Sequence, residues 1–587
     1  MYASARKDSG IPCTVAIASA IPFQQRTTGL VMLKKKLFTV ALLALSPSVF
    51  AQEPPSAGQL QQIPPAPVPQ KFEPNVEVEP RGITATSEAD TVKVLIKSLK
   101  VTGAQVYSEA ELLALTGFTP GSELTLTDLR GMASKIGDHY RANGYFVAQA
   151  YLPAQDIKDG AVTIAVIEGH YGKVTLNNQT RFSDGQANGL LAGLNQGDVI
   201  ESEPLGNRLL LLSDVPGVDV KAALVPGASV GASDLIVNLT PGPTVSGEVD
   251  LDNAGNRYTG EYRLGATVNL NNLAGRGDVA SLRAMTSGSG LNYARASYQM
   301  QFGKATAGVA YSGLKYKLGE EFESLQAHGT AEIASIYGSY PLIRSRNSNL
   351  NAGLVYEDKT FQDKVDSTTP PGLTDKKAQV LSASLYGNQR DRFGGGGVTS
   401  YALTWSTGEI DIETPAARII DAATAQSNGH FDKLGFRLAR LQRLTDSVSL
   451  SAALNGQFAS KNLDSSEKME LGGMYGVRAY PEGEAYADEG YVLNLEARYL
   501  LPKFSQTMPG QMHLIGFVDT GSVKTNKNPW VPGDNTRTLS GAGVGVNWTD
   551  PNNFVARAYY AVKLGNEKPT SAPDKSGRFW FQLVKYF

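Results

Sequence analysis

From residue 244 to the end of the chain, apolar and polar residues alternate with a period of two. The stretch 493–501 has leucine, alanine or tyrosine at every odd position, and Asn494, Glu496 and Arg498 lie between them. Alternation of this kind predicts strands, because successive side chains of a strand point to opposite faces. We predict sixteen strands, at 244–252, 260–270, 277–286, 291–302, 304–313, 329–341, 347–358, 376–389, 397–408, 430–443, 446–459, 489–502, 510–520, 537–549, 552–564 and 577–587.

The lengths of these strands and of their connections favour a membrane barrel over a soluble sandwich, which would show the same alternation. Each strand has about the ten residues that a tilted strand needs to cross a bilayer, and their number is even. Connections after even-numbered strands are short, such as Gly303 alone, whereas several after odd-numbered strands run to fifteen residues or more. The sequence therefore predicts a transmembrane antiparallel β-barrel of about sixteen strands over residues 244–587, with both ends in the periplasm.

The last predicted strand is rich in aromatic residues and ends on Phe587. Uncovered in water, such an edge would pair with other chains and aggregate. Its ending also resembles the signal by which outer-membrane barrels are handed to their assembly machinery. We therefore expect outer-membrane lipid around the barrel and the barrel-assembly machinery as a partner during biogenesis.

Ahead of the barrel, the pattern changes to mixed helices and strands, which end at Pro241-Gly242-Pro243. The pattern predicts two small α+β modules in tandem, over 91–169 and 170–243. The pattern of neither module indicates the deep pocket of an enzyme, so we interpret the two modules as a binding arm. The order strand, helix, helix, strand, strand occurs first at 92–102, 108–116, 127–143, 145–152 and 161–168, and again at 173–176, 183–191, 202–212, 218–224 and 235–240.

The N-terminus has the pattern of a signal peptide. Three lysines follow Met32 and Leu33, an apolar run occupies 37–45, and Ala51 precedes a predicted cleavage at Gln52. The apolar run is too short to span a bilayer as a helix. We predict a leader over 1–51, with Met32 as an alternative start, and then a proline-rich linker over 52–90.

Composition argues against several other functions. Without the leader, 48 basic and 55 acidic residues remain, which argues against a nucleic-acid partner. The only cysteine, Cys13, falls in the leader, so neither a disulfide nor a thiolate metal site is expected. The five histidines are scattered, without HExxH or GxSxG motifs, and the acidic loop at 320–323 lacks EF-hand spacing. We predict no enzymatic activity, no cofactor and no metal site.

Two motifs in the barrel resemble those of the polypeptide-transporting outer-membrane superfamily. The loop 460–488 contains Gly476, Val477, Arg478, Ala479 and Tyr480, similar to a sixth-loop motif that ideally reads VRGY or VRGF. Ala479 stands where the family usually has glycine, and alanine disfavours positive φ.

The second motif, at 516–523, contains Phe517, Asp519 and Gly521 and looks like the family's F-x-D-x-G strand motif. The resemblance implies that the loop folds into the lumen and that Arg478 pairs with Asp519 as a latch between loop and barrel. The residues agree with it, because Asp519 shares a face with Phe517 and avoids lipid by pointing inward.

Further motifs narrow the resemblance to two-partner-secretion (TpsB) transporters of the haemolysin-activator and filamentous-haemagglutinin type. The match covers 92–587, and its carriers are the segments 140–145, 209–218, 251–260 and 271–278. It implies that the modules are POTRA domains in the periplasm. It also implies that a partner exoprotein, of adhesin or haemolysin type, is captured unfolded and secreted through the barrel. Family members often have a helix that plugs the barrel, but the only candidate, Gln59–Ile63, is too short to predict one.

A partner chain could be bound by strand addition, because main-chain hydrogen bonds give affinity with little sequence specificity. The predicted edge strand of the first module, with Val147, Gln149 and Tyr151, is our candidate for this site. An outer-membrane protein assembly or insertase factor is the alternative function, and a passive porin would leave the modules without a purpose. The identity of the cargo stays open.

Overall fold

The computed structural model describes residues 54–63, 76–78 and 92–587. The predicted leader and its cleavage site lie outside the described residues, as does most of the predicted linker. The described part begins with a one-turn helix, α1 (Ala57–Leu60), and a short strand, β1 (Val76–Val78). Within these ranges, no helix combines the length and the hydrophobicity needed to cross a bilayer.

The first module, residues 92–169, packs two helices against a small sheet. In this sheet β6 lies between β3, which is parallel to it, and β5, which is antiparallel, while β2 pairs with β4. Helix α3 buries Leu129, Ile136 and Tyr140 in the core of the module. The elements are β2 (Lys93–Ile96), β3 (Ser98–Thr102), α2 (Glu109–Thr116), β4 (Ser122–Thr125), α3 (Leu126–Ala142), β5 (Gln149–Tyr151) and β6 (Ala161–Ile167).

Hydrogen bonds to neighbouring backbone groups make two strands of this module shorter than predicted. The predicted strand 92–102 is divided at Lys97, because the N–H groups of Lys97 and Ser98 both donate to the carbonyl of Gly160. The predicted strand 145–152 is reduced to β5, because the N–H of Ala148 donates to the carbonyl of Tyr145 in a turn. Strand β4 was not predicted.

A buried carboxylate ties α3 to the sheet of the first module. Glu168 Oε1 accepts hydrogen bonds from Tyr140 Oη at 2.7 Å and from the N–H groups of Gln105 and Val106 at 2.6 and 2.7 Å. Burial, and then the neighbouring Glu168, raise the pKa of Tyr140. The phenol therefore stays protonated and keeps its place as a donor.

The second module, residues 170–243, repeats the topology of the first. Here β9 lies between β7, which is parallel to it, and β8, which is antiparallel, as β6 lies between β3 and β5. Strand β1 adds to the free side of β8 in parallel. The elements are β7 (His170–Asn178), α4 (Asp184–Leu191), α5 (Ser202–Ser213), β8 (Val218–Pro226) and β9 (Ala232–Pro241).

The rest of the chain forms a closed antiparallel barrel of sixteen strands, as predicted. Its last strand pairs with its first, from Glu248 opposite Tyr586 to Asp252 opposite Gln582. The strands are β10 (Val245–Asp252), β11 (Arg263–Asn271), β12 (Val279–Thr286), β13 (Leu291–Phe302), β14 (Ala305–Lys317), β15 (Ala327–Arg344), β16 (Ser348–Val365), β17 (Gly372–Asp391), β18 (Gly397–Ile412), β19 (Gly429–Arg443), β20 (Val448–Ala459), β23 (Glu489–Leu500), β24 (Gln511–Lys524), β25 (Thr536–Asp550), β26 (Phe554–Lys563) and β27 (Gly577–Tyr586).

Shorter elements lie in the connections at the end of the barrel opposite the modules, which we call the far end. They are 3₁₀ turns at Arg257–Thr259 and Glu320–Leu325, helix α6 (Pro415–Ala423), and the paired strands β21 (Met469–Glu470) and β22 (Tyr486–Ala487). A third 3₁₀ turn, Phe393–Gly395, lies at the module end.

Several strands between β14 and β18 extend further at the far end than predicted. Strand β16, for example, ends at Val365 rather than at residue 358. In this extension the outward positions are polar and exposed, as at Lys377 and Glu409, while Ala378 and Ile410 face inward and are buried. The strands therefore stay hydrogen-bonded beyond the point where their apolar residues change from the outer to the inner face of the barrel. The predicted strands end too early because they follow the outward-facing apolar residues.

The inward apolar residues of this region form a cluster inside the far half of the lumen, which we call the upper-lumen cluster. It includes two residues of α1, so the N-terminal segment lies inside the barrel. Its buried members are Ala57, Leu60, Tyr258, Met285, Leu291, Leu314, Tyr316, Leu318, Ala327, Ala331, Phe361, Ala378, Val380, Ile410, Ile412, Phe431, Ala459 and Leu463.

The second module is fixed to the module end of the barrel by polar contacts. The carboxylate of Asp214, just after α5, accepts hydrogen bonds from Arg344 Nε at 2.7 Å and Nη2 at 3.0 Å. Asn207 Nδ2 donates to the carbonyl of Arg344 at 2.7 Å, and the N–H of Ser183 donates to the carbonyl of Gly275 at 3.0 Å. These contacts hold the module against two of the short turns.

Candidate functional site

The long connection between β20 and β23, residues 460–488, which we call the luminal loop, folds back into the barrel. Its residues Leu471, Val477 and Tyr480 are fully buried. They pack with inward side chains of β23 to β27, among them Phe517 and Trp580. The loop therefore has a hydrophobic core of its own, and this core includes part of the barrel wall.

Arg478 lies in this core and contacts two carboxylates of the wall. Its Nε and Nη2 donate to the two carboxylate oxygens of Asp519 at 2.8 and 2.7 Å, and its backbone N–H donates to Asp519 at 3.1 Å. Nη1 donates to Glu496 at 2.8 Å. Asp519 is fully buried, and Arg498 also pairs with Glu496 at 2.8 Å, so two positive charges face two negative ones.

Two aromatic rings lie against the guanidinium of Arg478, and a third aromatic side chain binds its backbone. Its Cζ lies 3.5 Å from the ring centroid of Phe517 and 5.0 Å from that of Tyr559. Trp580 Nε1 donates to the backbone carbonyl of Arg478 at 2.7 Å. A desolvated cation–π contact of this kind adds roughly 2 kcal/mol to a charge-assisted pair.

Ala479, the residue that departs from the family motif, is accommodated by a glycine of the wall. It is not among the residues with positive φ, so its methyl group causes no backbone strain. The methyl group points at Gly541 of β25, where an added Cβ would lie 2.4 Å from Ala479 Cβ. The lack of a side chain at Gly541 of β25 therefore leaves room for the methyl group of Ala479.

The other motif residues also hold the luminal loop against the wall. A Cβ at Gly521 would lie 2.5 Å from Leu471 Cδ1 and 2.7 Å from the carbonyl oxygen of Tyr491, so a larger residue here would disturb the contact between loop and wall. The carbonyl of Gly476 accepts a hydrogen bond from Asn494 Nδ2 at 2.9 Å, and Tyr480 Oη donates to the carbonyl of Glu567 at 3.1 Å. The motif residues of the loop and of the wall thus lie together at the loop tip.

Sequence reasoning missed a second set of ion pairs, which joins the luminal loop to strands β16, β17 and β19 of the wall. Asp464 in the luminal loop pairs with Lys376 Nζ of β17 at 2.8 Å. Glu467 pairs with Lys359 of β16 at 2.9 Å and with Lys433 of β19 at 2.8 Å. Lysines at inward positions of lipid-exposed strands need a partner in the lumen, and that rule could have identified them.

The segment around α1 lies against the luminal loop. The N–H of Ala57 donates to Asp363 Oδ1 at 2.8 Å, and Gln62 Nε2 donates to the carbonyls of Ser466 and Lys468, each at 3.1 Å. A Cβ at Gly58 would lie 2.8 Å from Ser466 Cβ. A single helical turn, Ala57–Leu60, therefore lies in the lumen, where the candidate segment Gln59–Ile63 was too short for the sequence to predict a helix, because tertiary contacts stabilise it.

The residues of the candidate cargo edge lie apart from the lumen, in the first module, and they do not share one environment. Gln149 and Tyr151 belong to β5, whose second edge has no partner strand among the described residues. Val147 precedes the strand and packs against the core of the second module.

Comparisons with known proteins agree with this architecture. Residues 231–548 match the family described as "Haemolysin secretion/activation protein ShlB/FhaC/HecB", and residues 94–169 match "POTRA domain, ShlB-type". The heme/hemopexin transporter protein HuxB of Haemophilus influenzae (strain 86-028NP) is 32% identical over 479 residues, which cover 80% of this chain and 82% of the relative.

Two further matches are more distant in sequence. The outer membrane transporter CdiB of Dickeya dadantii (strain 3937) is 24% identical over 466 residues, which cover 77% of this chain and 79% of the relative. The solved structure of CdiB from Escherichia coli superposes with a TM-score of 0.63 at 20% identity, over 86% of this chain and 93% of that one. At this identity the structural match shows the fold alone.

Proposed function

The chain belongs to the haemolysin secretion/activation family of outer-membrane transporters, and from that premise we propose how it moves a partner exoprotein. It secretes this partner from the periplasm through its barrel. The modules lie in the periplasm, so the far end of the barrel is extracellular. The observation that carries the mechanism is a closed sixteen-stranded barrel whose lumen is filled by two segments of the same chain, α1 and the luminal loop.

A filled lumen represents a resting state, and transport requires the segment around α1 to leave the lumen while the tip of the luminal loop stays on the wall. The segment around α1 is the easier to displace, because it is a single turn with few polar contacts. The luminal loop is held by Arg478 and Asp519 and by the lysine pairs. We assign Arg478 and Asp519 the role of a latch that keeps the loop tip on the wall while cargo passes.

The second module is assigned as a second POTRA domain. Its support is the repeated topology, in which β7, β9 and β8 correspond to β3, β6 and β5. With this assignment, the proposed domains are a leader at 1–51, a linker at 52–90 that includes α1 and β1, POTRA domains at 91–169 and 170–243, and the barrel at 244–587.

The exoprotein enters as an unfolded chain, and the first module offers β5 for strand addition. Gln149 and Tyr151 remain the candidate contacts, and the support for them is the unpaired second edge of β5 among the described residues. The N–H groups of a strand point alternately to its two sides, so proline at one of the two consecutive residues Gln149 and Ala150 removes a donor from this edge.

The proline variants test this binding site. We expect one of Gln149→Pro and Ala150→Pro to reduce secretion of the exoprotein several-fold, while the barrel still assembles. Gln149→Ala and Ala150→Val are the matched controls. Wild-type secretion by both proline variants would contradict a role for β5.

The relatives are named as transporters, and we propose that this chain acts without an enzymatic step or a cofactor. Its other partners are outer-membrane lipid and, during biogenesis, the barrel-assembly machinery. The C-terminal strand supports the last of these, because β27 closes the barrel and ends in aromatic residues.

Deleting the gene separates secretion from the alternative role as an assembly or insertase factor. For a secretion pore, a partner exoprotein accumulates in the periplasm, and the levels of other outer-membrane proteins stay unchanged. Complementation with the full chain restores export. A general loss of outer-membrane proteins with no exported partner would instead favour the insertase.

A further inference from the structure

The outward face of the barrel carries a groove across strands β11 to β14. One row of paired outward residues on these strands contains only small side chains, which are those of Ala266, Ala284, Ala294 and Gly313. A cavity of about 540 Å³ lies over this row. Its volume falls in the range of pockets that hold a drug-sized ligand, roughly 300–1,000 Å³.

Bulky apolar side chains form the wall of this groove on the side of the modules. Leu282 and Tyr311 lie two positions before Ala284 and Gly313 on the same strands, so they share the outward face with them. Both are exposed, and the exposed Val268 of β11 pairs with Leu282. The groove is therefore a depression in the surface that faces lipid and is separate from the lumen.

On the opposite side, toward the far end, the wall of the groove is cationic. Beyond Gly313 the outward residues of β14 are Lys315 and Lys317, and both are exposed. The residues that alternate with them, Leu314 and Tyr316, point inward and belong to the upper-lumen cluster. A change from apolar residues and tyrosine to lysine along an outward face marks the boundary between the hydrocarbon layer and the head groups. The groove lies at this boundary.

The charges around the groove favour an anionic ligand. Neither Lys315 nor Lys317 has an ion-pair partner in the part of the chain that the structure describes. Glu332, which ends the groove on β15 opposite Gly313, accepts a hydrogen bond from Tyr311 Oη at 2.8 Å. Two lysines beside one hydrogen-bonded carboxylate leave a net positive charge at the rim. Lysines grouped at a membrane surface attract anionic lipid head groups.

We propose that this groove binds a phosphorylated glycolipid of the lipid A type, with an acyl chain in the groove and a phosphate beside Lys315 and Lys317. The inference rests on the proposed function for one point, the extracellular position of the far end. Lipid A is the occupant because lipopolysaccharide forms the outer leaflet of an outer membrane, where the groove lies. Two copies of this chain meeting here would bring their lysines together, which argues against a second copy.

Filling the groove tests the contact with the acyl chain. A Cβ at Gly313 would meet no heavy atom within 4 Å, so a side chain there extends into the groove without disturbing the strand. We expect Gly313→Leu and Ala294→Leu each to lower the lipid A bound to the purified full chain at least fivefold. The measurement is native mass spectrometry in detergent after addition of bisphosphorylated lipid A.

Ala452→Leu is the matched control, because Ala452 is an exposed outward residue of β20, away from the groove. Binding of lipid A by both groove variants at the level of this control would overturn the inference. A second copy of the chain bound in place of lipid A, and lost in Gly313→Leu, would overturn it as well, since the groove would then be an interface between copies.

Removing the lysines tests the contact with the phosphate. We expect Lys315→Gln/Lys317→Gln to lower bound lipid A several-fold, and to have little effect on binding of dephosphorylated lipid A. Lys377→Gln is the matched control, because Lys377 is an exposed outward lysine of β17. Equal retention of phosphatidylethanolamine and lipid A by the wild-type chain would show an ordinary lipid contact and would contradict the proposal.

These outcomes separate this inference from the function it rests on. If the wild-type chain exports an exoprotein but retains no lipid A, only the groove proposal fails. If it binds lipid A in the groove and exports nothing, only the proposed function fails.

Discussion

At the scale of single residues, Arg478 determines how the luminal loop is held. It is almost fully buried, and its charge is balanced only by carboxylates that belong to the wall, Asp519 and Glu496. Removing one partner of a buried ion pair leaves the other charge without compensation, at a cost of about 3–5 kcal/mol. We therefore expect this ion pair to be the contact of the loop that is most sensitive to substitution.

We expect Arg478→Ala and Asp519→Ala each to reduce secretion of the exoprotein at least tenfold, because either change leaves a buried charge unpaired. The measurement is exoprotein in the culture medium against barrel content of the outer membrane. Arg437→Ala is a control that removes an inward arginine from β19, where it contacts Asn455. Secretion at the wild-type level by both latch variants would exclude a latch role.

The contact between Ala479 and Gly541 gives a second prediction. Gly541→Ala should destabilise the seated loop by about 1–3 kcal/mol, because two methyl groups would occupy one space. Ala479→Gly in the same chain should restore stability by removing one of them. The measurement is the temperature at which the barrel loses its heat-modifiable mobility in gel electrophoresis, and the idea fails if the double variant is no more stable than Gly541→Ala.

At the scale of elements, α1 depends on its surroundings for its stability. A single turn has almost no intrinsic helical stability, yet Leu60 is buried in the upper-lumen cluster and Ala57 is bonded to Asp363. The same dependence applies to β1, which exists only on the edge of β8. Short elements such as these have weak sequence signals, and tertiary contacts decide them.

We expect Leu60→Asp to open the resting pore, because an unpaired carboxylate in an apolar cluster costs several kcal/mol and expels the segment. The measurement is ion conductance in planar bilayers, which should rise several-fold over wild type. Gln61→Asp is the matched control, since Gln61 lines a cavity of about 160 Å³ and Arg295 also lines it, so a carboxylate there faces a positive charge. Equal conductance of Leu60→Asp and wild type would show that α1 does not close the pore.

At the scale of the whole molecule, the barrel is closed by the pairing of its first and last strands. Strands β27 and β10 pair over five positions, and beyond them the backbone groups of Phe587 and Gly247 exchange hydrogen bonds of 3.0 and 3.1 Å. Closure removes the last open edge, which in lipid could not be satisfied by water.

We expect deletion of Phe587 to reduce the amount of assembled barrel several-fold, because it removes the two hydrogen bonds that Phe587 and Gly247 exchange at the end of the seam, together with the terminal aromatic ring. Phe587→Leu keeps the backbone bonds and removes only the ring. The measurement is heat-modifiable barrel in isolated outer membranes. Assembly of the deletion variant at the wild-type level would contradict a role for this residue in closure.

The sequence by itself determined the sixteen strands, because each lipid-facing strand must alternate in polarity over a length set by the bilayer. It also indicated the repeated order of the two modules. It did not determine the far-end extensions of the barrel, because beyond the lipid the apolar residues turn inward and the outward pattern no longer marks a strand.

Only the tertiary structure decided what fills the lumen and what covers the module edge. Arg478 and Asp519 are 41 residues apart in sequence, and their contact needed a motif resemblance to be expected at all. The lysine pairs of Asp464 and Glu467 join segments that share no local sequence pattern. The same is true of the contacts that the single turn of α1 makes. These contacts form because the closed barrel places inward-facing charges and apolar groups from distant parts of the chain in one enclosed space.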